Sequence, residues 1–157
     1  MGHHWLGMAV VGDHVTIVDA DVPDEADQPI TVLSDDTWKL QQGDRAAAYA
    51  VIHQRCADYI REQKIGSVMV KASALPTGSA RLALLTGAEL RGVIIAAAAS
   101  HCVVRQLSKG VISRTYGERK VDEYLKDDAF WDEQTTGGKL RKTSREAAML
   151  LVAARPR

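Results

Sequence analysis

Cysteine is scarce in this chain, and its scarcity excludes two classes of small protein. The 157 residues include two cysteines, Cys56 and Cys102, which stand in apolar surroundings without a CxxC spacing. A disulfide scaffold or a cysteine-ligated metal site needs more cysteines at closer spacings. We therefore interpret both as reduced core residues and expect a cytoplasmic protein.

Net charge and membrane-length apolar runs are also lacking. Lys+Arg and Asp+Glu number 20 each, so the formal charge is zero and predicts no general attraction to polyanions. The most apolar window, residues 92–99, is too short to cross a membrane, and the N-terminus has no signal-peptide pattern. We expect no membrane association.

The charges are nevertheless unevenly distributed along the sequence. Residues 19–36 contain seven acids and no Lys or Arg, which is typical of a solvated acidic rim. Basic residues cluster from residue 109 to 120 and near the C-terminus, where a solvated helix start is the commoner explanation. Cations of this kind are sufficient to contact backbone phosphates. The candidate nucleic-acid-binding residues are Lys109, Arg114, Arg119, Lys120, Lys139, Arg141 and Lys142.

Hydrophobic patterning predicts an α/β protein with a mixed sheet of about five strands. Gly12-Asp13 separates two apolar runs and predicts an antiparallel hairpin of residues 6–11 and 15–20. A helical period begins after Asp44, a candidate N-cap, and ends near Lys64. The other predicted elements are strands at 30–33, 67–71 and from 103, helices at 79–100, 119–125 and 147–154, and a loop at 134–138.

The length fits a single domain over residues 1–157, with flexible ends at 1–5 and 155–157. We expect the C-terminal half of the 79–100 helix to be buried on several sides, because it consists almost entirely of Ala, Val and Ile. The predicted core face of that helix is formed by Leu82, Leu85, Leu90, Val93, Ile94 and Ala97.

Residues 85–101, LTGAELRGVIIAAAASH, combine an Arg-Gly pair with a tail of small residues. Residues 107–117 contain a glycine after an apolar run, and residues 118–124 contain a lysine within a helical pattern. In order and spacing these pieces resemble the RNase H-like superfamily, in its branch of RuvC-type Holliday-junction resolvases and their small bacterial relatives. The resemblance covers residues 6–154 and implies a RuvC-like sheet whose first three strands are antiparallel, with flanking helices. It also implies a strand and a glycine turn within residues 107–117.

In that family, four carboxylates hold two divalent metals that activate water against a phosphodiester. The resemblance places these carboxylate positions on Ala9, Lys71, Thr143 and Glu146, so one acid of four remains. A single Glu does not offset the charge of two Mg²⁺ ions. The resemblance therefore implies a catalytically degenerate protein that acts by binding and needs no cofactor, with Glu146 as its one candidate catalytic residue.

Other interpretations remain open for these residues. One hypothesis is that Lys71 and Glu146 form an ion pair at the position where the family holds its metals. Glu146 also stands three residues after Thr143, where a capping-box carboxylate is favoured over a metal ligand.

Two other functions remain open as well. One is a Mg²⁺-dependent endonuclease with displaced ligands, although turn chemistry is favoured for Asp13 and a solvated edge for Asp19 and Asp21. The displaced ligands would come from Asp13, Asp19, Asp21 and Glu146. The other is a scaffold or assembly subunit.

The expected partners are DNA or RNA and a second copy of the chain in a homodimer. A protein partner is also considered at Phe130-Trp131, which is flanked by acids on both sides. These two aromatics are either an exposed anchor or a lid packed on the sheet.

Overall fold

A six-stranded mixed sheet with helices on both faces forms the framework. The computed structural model describes residues 2–74, 78, 81–116, 119–138 and 140–155. The strands are β1 (Gly2–Val11), β2 (His14–Pro23), β3 (Ile30–Lys39), β4 (Ser67–Lys71), β5 (Val103–Leu107) and β6 (Thr135–Gly137), in the order β5-β4-β1-β2-β3-β6. Strands β1 to β3 pair antiparallel, whereas β4, β5 and β6 join as parallel strands. The predicted fold class is confirmed, with β6 added where a loop was expected.

The predicted hairpin is present, and its strands are longer than the sequence indicated. Val11 pairs with His14 across a two-residue turn in which Gly12 has a φ of 58°, a conformation that costs little only for glycine. Strand β1 already begins at Gly2 and pairs Trp5 with Ala20, so the expectation of a flexible end at residues 2–5 is wrong. Strand β3 runs beyond residue 33, because its polar second half continues the antiparallel ladder with β2 and ends on the buried Trp38.

Within the described residues, six helices accompany the sheet: α1 (Arg45–Glu62), α2 (Leu82–Ala99), α3 (Lys109–Tyr116), α4 (Val121–Leu125), α5 (Asp128–Gln134) and α6 (Arg145–Ala154), with a 3₁₀ turn at Lys142–Ser144. Asp44 caps α1 as predicted, since its carboxylate accepts a hydrogen bond from the Ala46 N–H at 3.3 Å. The strand and glycine turn expected within 107–117 are wrong beyond Leu107, because α3 occupies residues 109–116. Helix α5 had no predicted counterpart.

Alternation along β1 supplies two separate cores. Leu6 and Met8 face α1 and α2, whereas Ala9 belongs to the cluster beneath α6. A Cβ on Gly7 would overlap the carbonyl oxygen of Ala147, so α6 packs against the bare backbone of β1. This close approach brings the first turn of α6 to the sheet beside the end of β4.

Helix α2 is buried on one side only. Leu90, Ile94 and Ala97 are buried as predicted, but Leu82 is 75% and Leu85 is 58% exposed. The expectation that its C-terminal half is buried on several sides is wrong, since Gly92, Ala96 and Ala99 are exposed. Among the described helices, α2 is the one whose length and mean hydropathy of 1.6 would suffice for a membrane span. The predicted start of this helix at residue 79 lies outside the described residues.

Candidate functional site

The candidate site lies where β4 ends beneath the first turn of α6. Lys71, the last residue of β4, donates from Nζ to Oε1 of Glu146, and their side chains are 30% and 31% exposed. The hypothesised ion pair is therefore present. The capping-box interpretation is wrong, because Ser144 is the N-cap residue of α6 and caps it without a side-chain hydrogen bond.

The neighbouring position on β1 is Ala9. Met8 pairs with Val70 in the parallel β1–β4 ladder, so Ala9 and Lys71 are the next residues along two adjacent strands. Ala9 is 3% exposed and packs in the cluster that includes α6. Three of the four positions singled out by the resemblance therefore meet here, and the fourth, Thr143, is exposed in the turn that leads into α6.

A second cation, Arg91 of α2, approaches the same end of the sheet. Its guanidinium donates to the Val10 carbonyl at 3.3 Å and to the Ser73 hydroxyl at 2.6 Å. Burial lowers the pKa of Arg91, and the negative charge of Glu146 opposes that shift. Sequence reasoning did not assign Arg91 to the site, although the Arg-Gly pair of residues 91–92 was the available signal.

A cavity of about 110 Å³ opens beside the ion pair, between α3, α4 and α6. Lys109 and Asp122 form a second ion pair at this cavity, with 2.8 Å between Lys109 Nζ and Asp122 Oδ2. The remaining walls are apolar. The lining residues are Lys71, Lys109, Ile112, Val121, Asp122, Leu125, Glu146, Met149 and Leu150.

Three solved structures share this architecture. The structure of Thermus thermophilus RuvC superposes with a TM-score of 0.70 at 13% identity, over 95% of this chain and 91% of that one. T. thermophilus RuvC in complex with a Holliday-junction substrate gives 0.68 at 12% identity, over 96% and 91%. The yeast mitochondrial Holliday-junction resolvase gives 0.63 at 9% identity, over 96% and 78%.

The chain has the RuvC-type RNase H-like fold. No protein-family model matches the sequence, and none of the curated proteins matches it either. At 9–13% identity the likeness establishes the fold alone, so the chemistry of this chain has to be argued from its own residues.

Three of the six predicted nucleic-acid-binding cations that the structure describes are paired with acids. Lys109 pairs with Asp122, Arg119 lies 2.9 Å from Asp127, and Arg141 lies 2.8 Å from Asp35. Among the described residues, no ion pair involves Arg114, Lys120 or Lys142, and Lys139 lies outside them. The basic surface is therefore more nearly neutral than the sequence indicates.

The Arg141–Asp35 contact fixes the turn that carries α6 to the site. The Asp35 carboxylate, 8% exposed, accepts hydrogen bonds from the backbone and guanidinium of Arg141 and from the Ser144 hydroxyl. Burial raises the pKa of Asp35, but these hydrogen bonds outweigh it and hold the pKa below its ordinary value. Arg141 thus has a structural role that the sequence did not predict.

The carboxylates proposed as displaced metal ligands do not converge on Glu146. Asp19 is 2% exposed on the α1 side of the sheet, where His4 and Tyr59 bind its two oxygens, so the solvated edge expected for it is wrong. Asp13 lies in the hairpin turn, 3.5 Å from Arg45, and Asp21 is exposed. Within the described part of the chain, no group of three or more His, Cys, Asp or Glu is placed to hold a metal ion.

The two aromatic residues considered as a partner anchor form part of the core instead. Trp131 is 2% exposed, and its indole N–H donates to the Tyr124 carbonyl at 2.9 Å. The ring centroid of Phe130 lies 5.1 Å from that of Trp131, and Phe130 is half-buried against the same cluster. The lid interpretation is confirmed, and a partner anchored through Trp131 is excluded by its burial.

Proposed function

We propose that this chain binds nucleic acid without cleaving it, and that the Lys71–Glu146 ion pair takes the place of a two-metal site. The observation that carries the proposal is the contact of the Lys71 ammonium with the one carboxylate that the resemblance leaves in place. An ammonium at this position repels a divalent cation, and it already neutralises Glu146. Ala9 offers no oxygen ligand beside them.

The charge of the site supports retained binding. Two divalent cations held by four carboxylates carry no net charge, and the same holds for Lys71 with Glu146. Arg91 adds one positive charge nearby. A backbone phosphate therefore meets a site of the same net charge with one additional cation, and a site without metal ligands supplies no metal-activated water to attack it.

The proposed ligand is branched or single-stranded DNA or RNA, contacted through Lys71 and through the cations around the cavity. Lys109 and Lys120 lie on the α3–α4 side, and Lys142 precedes α6. Each phosphate contact releases counterions, so binding should weaken steeply as salt is raised. The complex of T. thermophilus RuvC with a Holliday-junction substrate makes a four-way DNA junction the first ligand to test.

Fluorescence anisotropy with a labelled four-way junction tests this function. We expect equal binding in EDTA and in Mg²⁺, a linear fall of log K with log salt, and no cleavage product on a denaturing gel. Lys71→Met should weaken binding, whereas Lys64→Met, an exposed lysine after α1, should leave it unchanged. Mg²⁺-dependent cleavage that disappears in Glu146→Gln would overturn the proposal in favour of a nuclease.

Restoring the carboxylates tests the loss of the metal site separately. The triple variant Ala9→Asp, Lys71→Glu, Thr143→Asp keeps Glu146 and recreates the four acidic positions implied by the resemblance. We expect Mn²⁺ to raise its Tm, because a ligand that binds only the folded state stabilises it, and to leave the Tm of the parent chain unchanged. An equal rise in both proteins would contradict the proposed degeneracy.

We also propose that the chain forms a homodimer. The exposed leucines at the start of α2, Leu82, Leu84 and Leu85, provide apolar surface that association would remove from water. Sedimentation equilibrium should give twice the monomer mass, and Leu85→Lys should shift the equilibrium toward the monomer. A monomer at all accessible concentrations would contradict this part of the proposal.

A further inference from the structure

Arg91 is a partly buried cation whose hydrogen-bond partners carry no charge. They are the Val10 carbonyl and the Ser73 hydroxyl. Within the described residues, no Asp or Glu lies at ion-pair distance from the Arg91 guanidinium. The charge of Glu146 acts on it from farther away, but Glu146 is already bound by Lys71. A partly desolvated cation without a counter-ion favours an anionic ligand.

The Ser73 hydroxyl beside Arg91 has a hydrogen left to donate. Arg91 Nη1 donates to Ser73 Oγ at 2.6 Å, and a guanidinium accepts no hydrogen bond in return. Ser73 is exposed, and no hydrogen bond among the described residues uses its hydroxyl hydrogen. A hydroxyl donor next to a guanidinium is suited to binding the oxygens of a phosphate.

We infer that Arg91 and Ser73 form a subsite for one backbone phosphate, separate from Lys71, an assignment that rests on the proposed nucleic-acid-binding function. One phosphate oxygen accepts from the Ser73 hydroxyl. Another accepts from the guanidinium, which uses two of its five N–H donors within the protein. The Nε–H of Arg91 is buried, so the phosphate contact falls to the terminal nitrogens.

The framework holds this subsite in place before a ligand binds. The two residues that flank Arg91 in the core face of α2, Leu90 and Ile94, are fully buried. The Arg91 guanidinium is fixed at the end of β1 by the Val10 carbonyl at 3.3 Å. A planar donor group that is fixed in advance loses little conformational entropy on binding.

The salt dependence of junction binding tests the subsite. We expect Arg91→Gln to make the slope of log K against log salt shallower by about 0.9, because one phosphate contact is lost. Ser73→Ala removes an uncharged donor and should weaken binding about fivefold without changing the slope. Arg61→Gln removes the same charge at the far end of α1, where Arg61 is exposed, and should change neither quantity.

Junctions that carry one neutral methylphosphonate linkage separate a phosphate contact from a structural effect. We expect one linkage position to weaken binding by the parent about tenfold, as expected for the loss of a hydrogen-bonded charge. That loss should disappear in Arg91→Gln and persist in Lys71→Met. An arginine with a merely structural role would weaken binding equally at every linkage position.

The outcomes separate this inference from the function on which it rests. An unchanged salt slope in Arg91→Gln, or the absence of any linkage whose effect depends on Arg91, overturns the subsite and leaves the proposed function in place. If Arg91→Gln does not fold, the linkage effect in Ser73→Ala decides, because it should be smaller than in the parent. Failure of the parent to bind the junction at low salt overturns both proposals.

Discussion

Asp19 and Glu146 are both carboxylates set against the same sheet, on opposite faces, and their surroundings differ in every respect that matters for function. Asp19 is 3% exposed in its side chain, and both of its oxygens are occupied, one by His4 and the other by Tyr59 at 2.7 Å. Glu146 is about a third exposed, has one ion-pair partner and borders a cavity. The first is enclosed by protein, and the second faces a cavity.

The comparison separates a buried carboxylate that stabilises the fold, Asp19, from a partly exposed carboxylate that still has a free oxygen, Glu146. Burial and the hydrogen bond to Asp19, in that order, raise the pKa of Tyr59, so its hydroxyl keeps its proton and donates it to the carboxylate. A fully satisfied buried network of this kind stabilises one packing arrangement. The Lys71–Glu146 pair, about one third exposed, contributes less to stability and keeps free hydrogen-bonding capacity.

Removing the enclosed carboxylate should have the largest effect on stability. Asp19→Ala leaves the Tyr59 hydroxyl and His4 without their acceptor, and we expect the free energy of unfolding to fall by about 3 kcal/mol. Junction binding by the folded protein should not change. Urea denaturation measures the loss, and Asp21→Ala, two residues along the same strand and exposed, should alter it by less than about 0.5 kcal/mol. A loss as small as that of the control would show that the network is not structural.

The Asp35 contacts should give an intermediate and pH-dependent effect. The folded-state pKa of Asp35 lies below its ordinary value, so its stabilisation is present above that ordinary value and is lost as the pH falls through the folded-state pKa. We expect Asp35→Asn to lower the free energy of unfolding by about 2 kcal/mol at pH 7. The difference from the parent should narrow progressively below about pH 4. A pH-independent difference would exclude charge as its cause.

The site pair itself should contribute least to stability. A double-mutant cycle of Lys71→Met and Glu146→Gln should give a coupling energy of about 1 kcal/mol, because both side chains are about one third exposed. The same variants should change junction binding severalfold, which reverses the order of effects seen at Asp19. If the Lys71–Glu146 coupling energy were as large as the stability loss in Asp19→Ala, Glu146 would also be a mainly structural carboxylate.

The main strands and helices could be predicted from the sequence, because the spacing of apolar residues and the residue types of turns and caps depend on neighbouring residues only. The Gly12-Asp13 hairpin, the Asp44 cap and the strand at 67–71 were predictable for that reason. The short elements α3, α5 and β6 were not, because they are stabilised by contacts with distant parts of the chain. The Thr31–Thr136 pairing of β3 with β6 is one such contact.

The site was recovered in part. Lys71 and Glu146 were brought together by the resemblance, and the structure confirms their contact. Asp122 and Arg91 were missed, because their relevance depends on how α2 and α4 pack at the end of the sheet. The burial of Asp19 was also not predictable, because an acidic stretch is usually solvated. Here Tyr59 of α1 covers Asp19 and donates a hydrogen bond to it.

The close approach of α6 to Gly7 also bears on how such a site can change over time. Because α6 rests on the bare backbone of Gly7, its contact with β1 at that point does not depend on the side chains of Lys71 and Glu146. Substitutions at those two positions can then change the charge of the site while α6 stays packed on β1. A chain with 9–13% identity to the RuvC structures can therefore have their fold and differ from them at the end of β4.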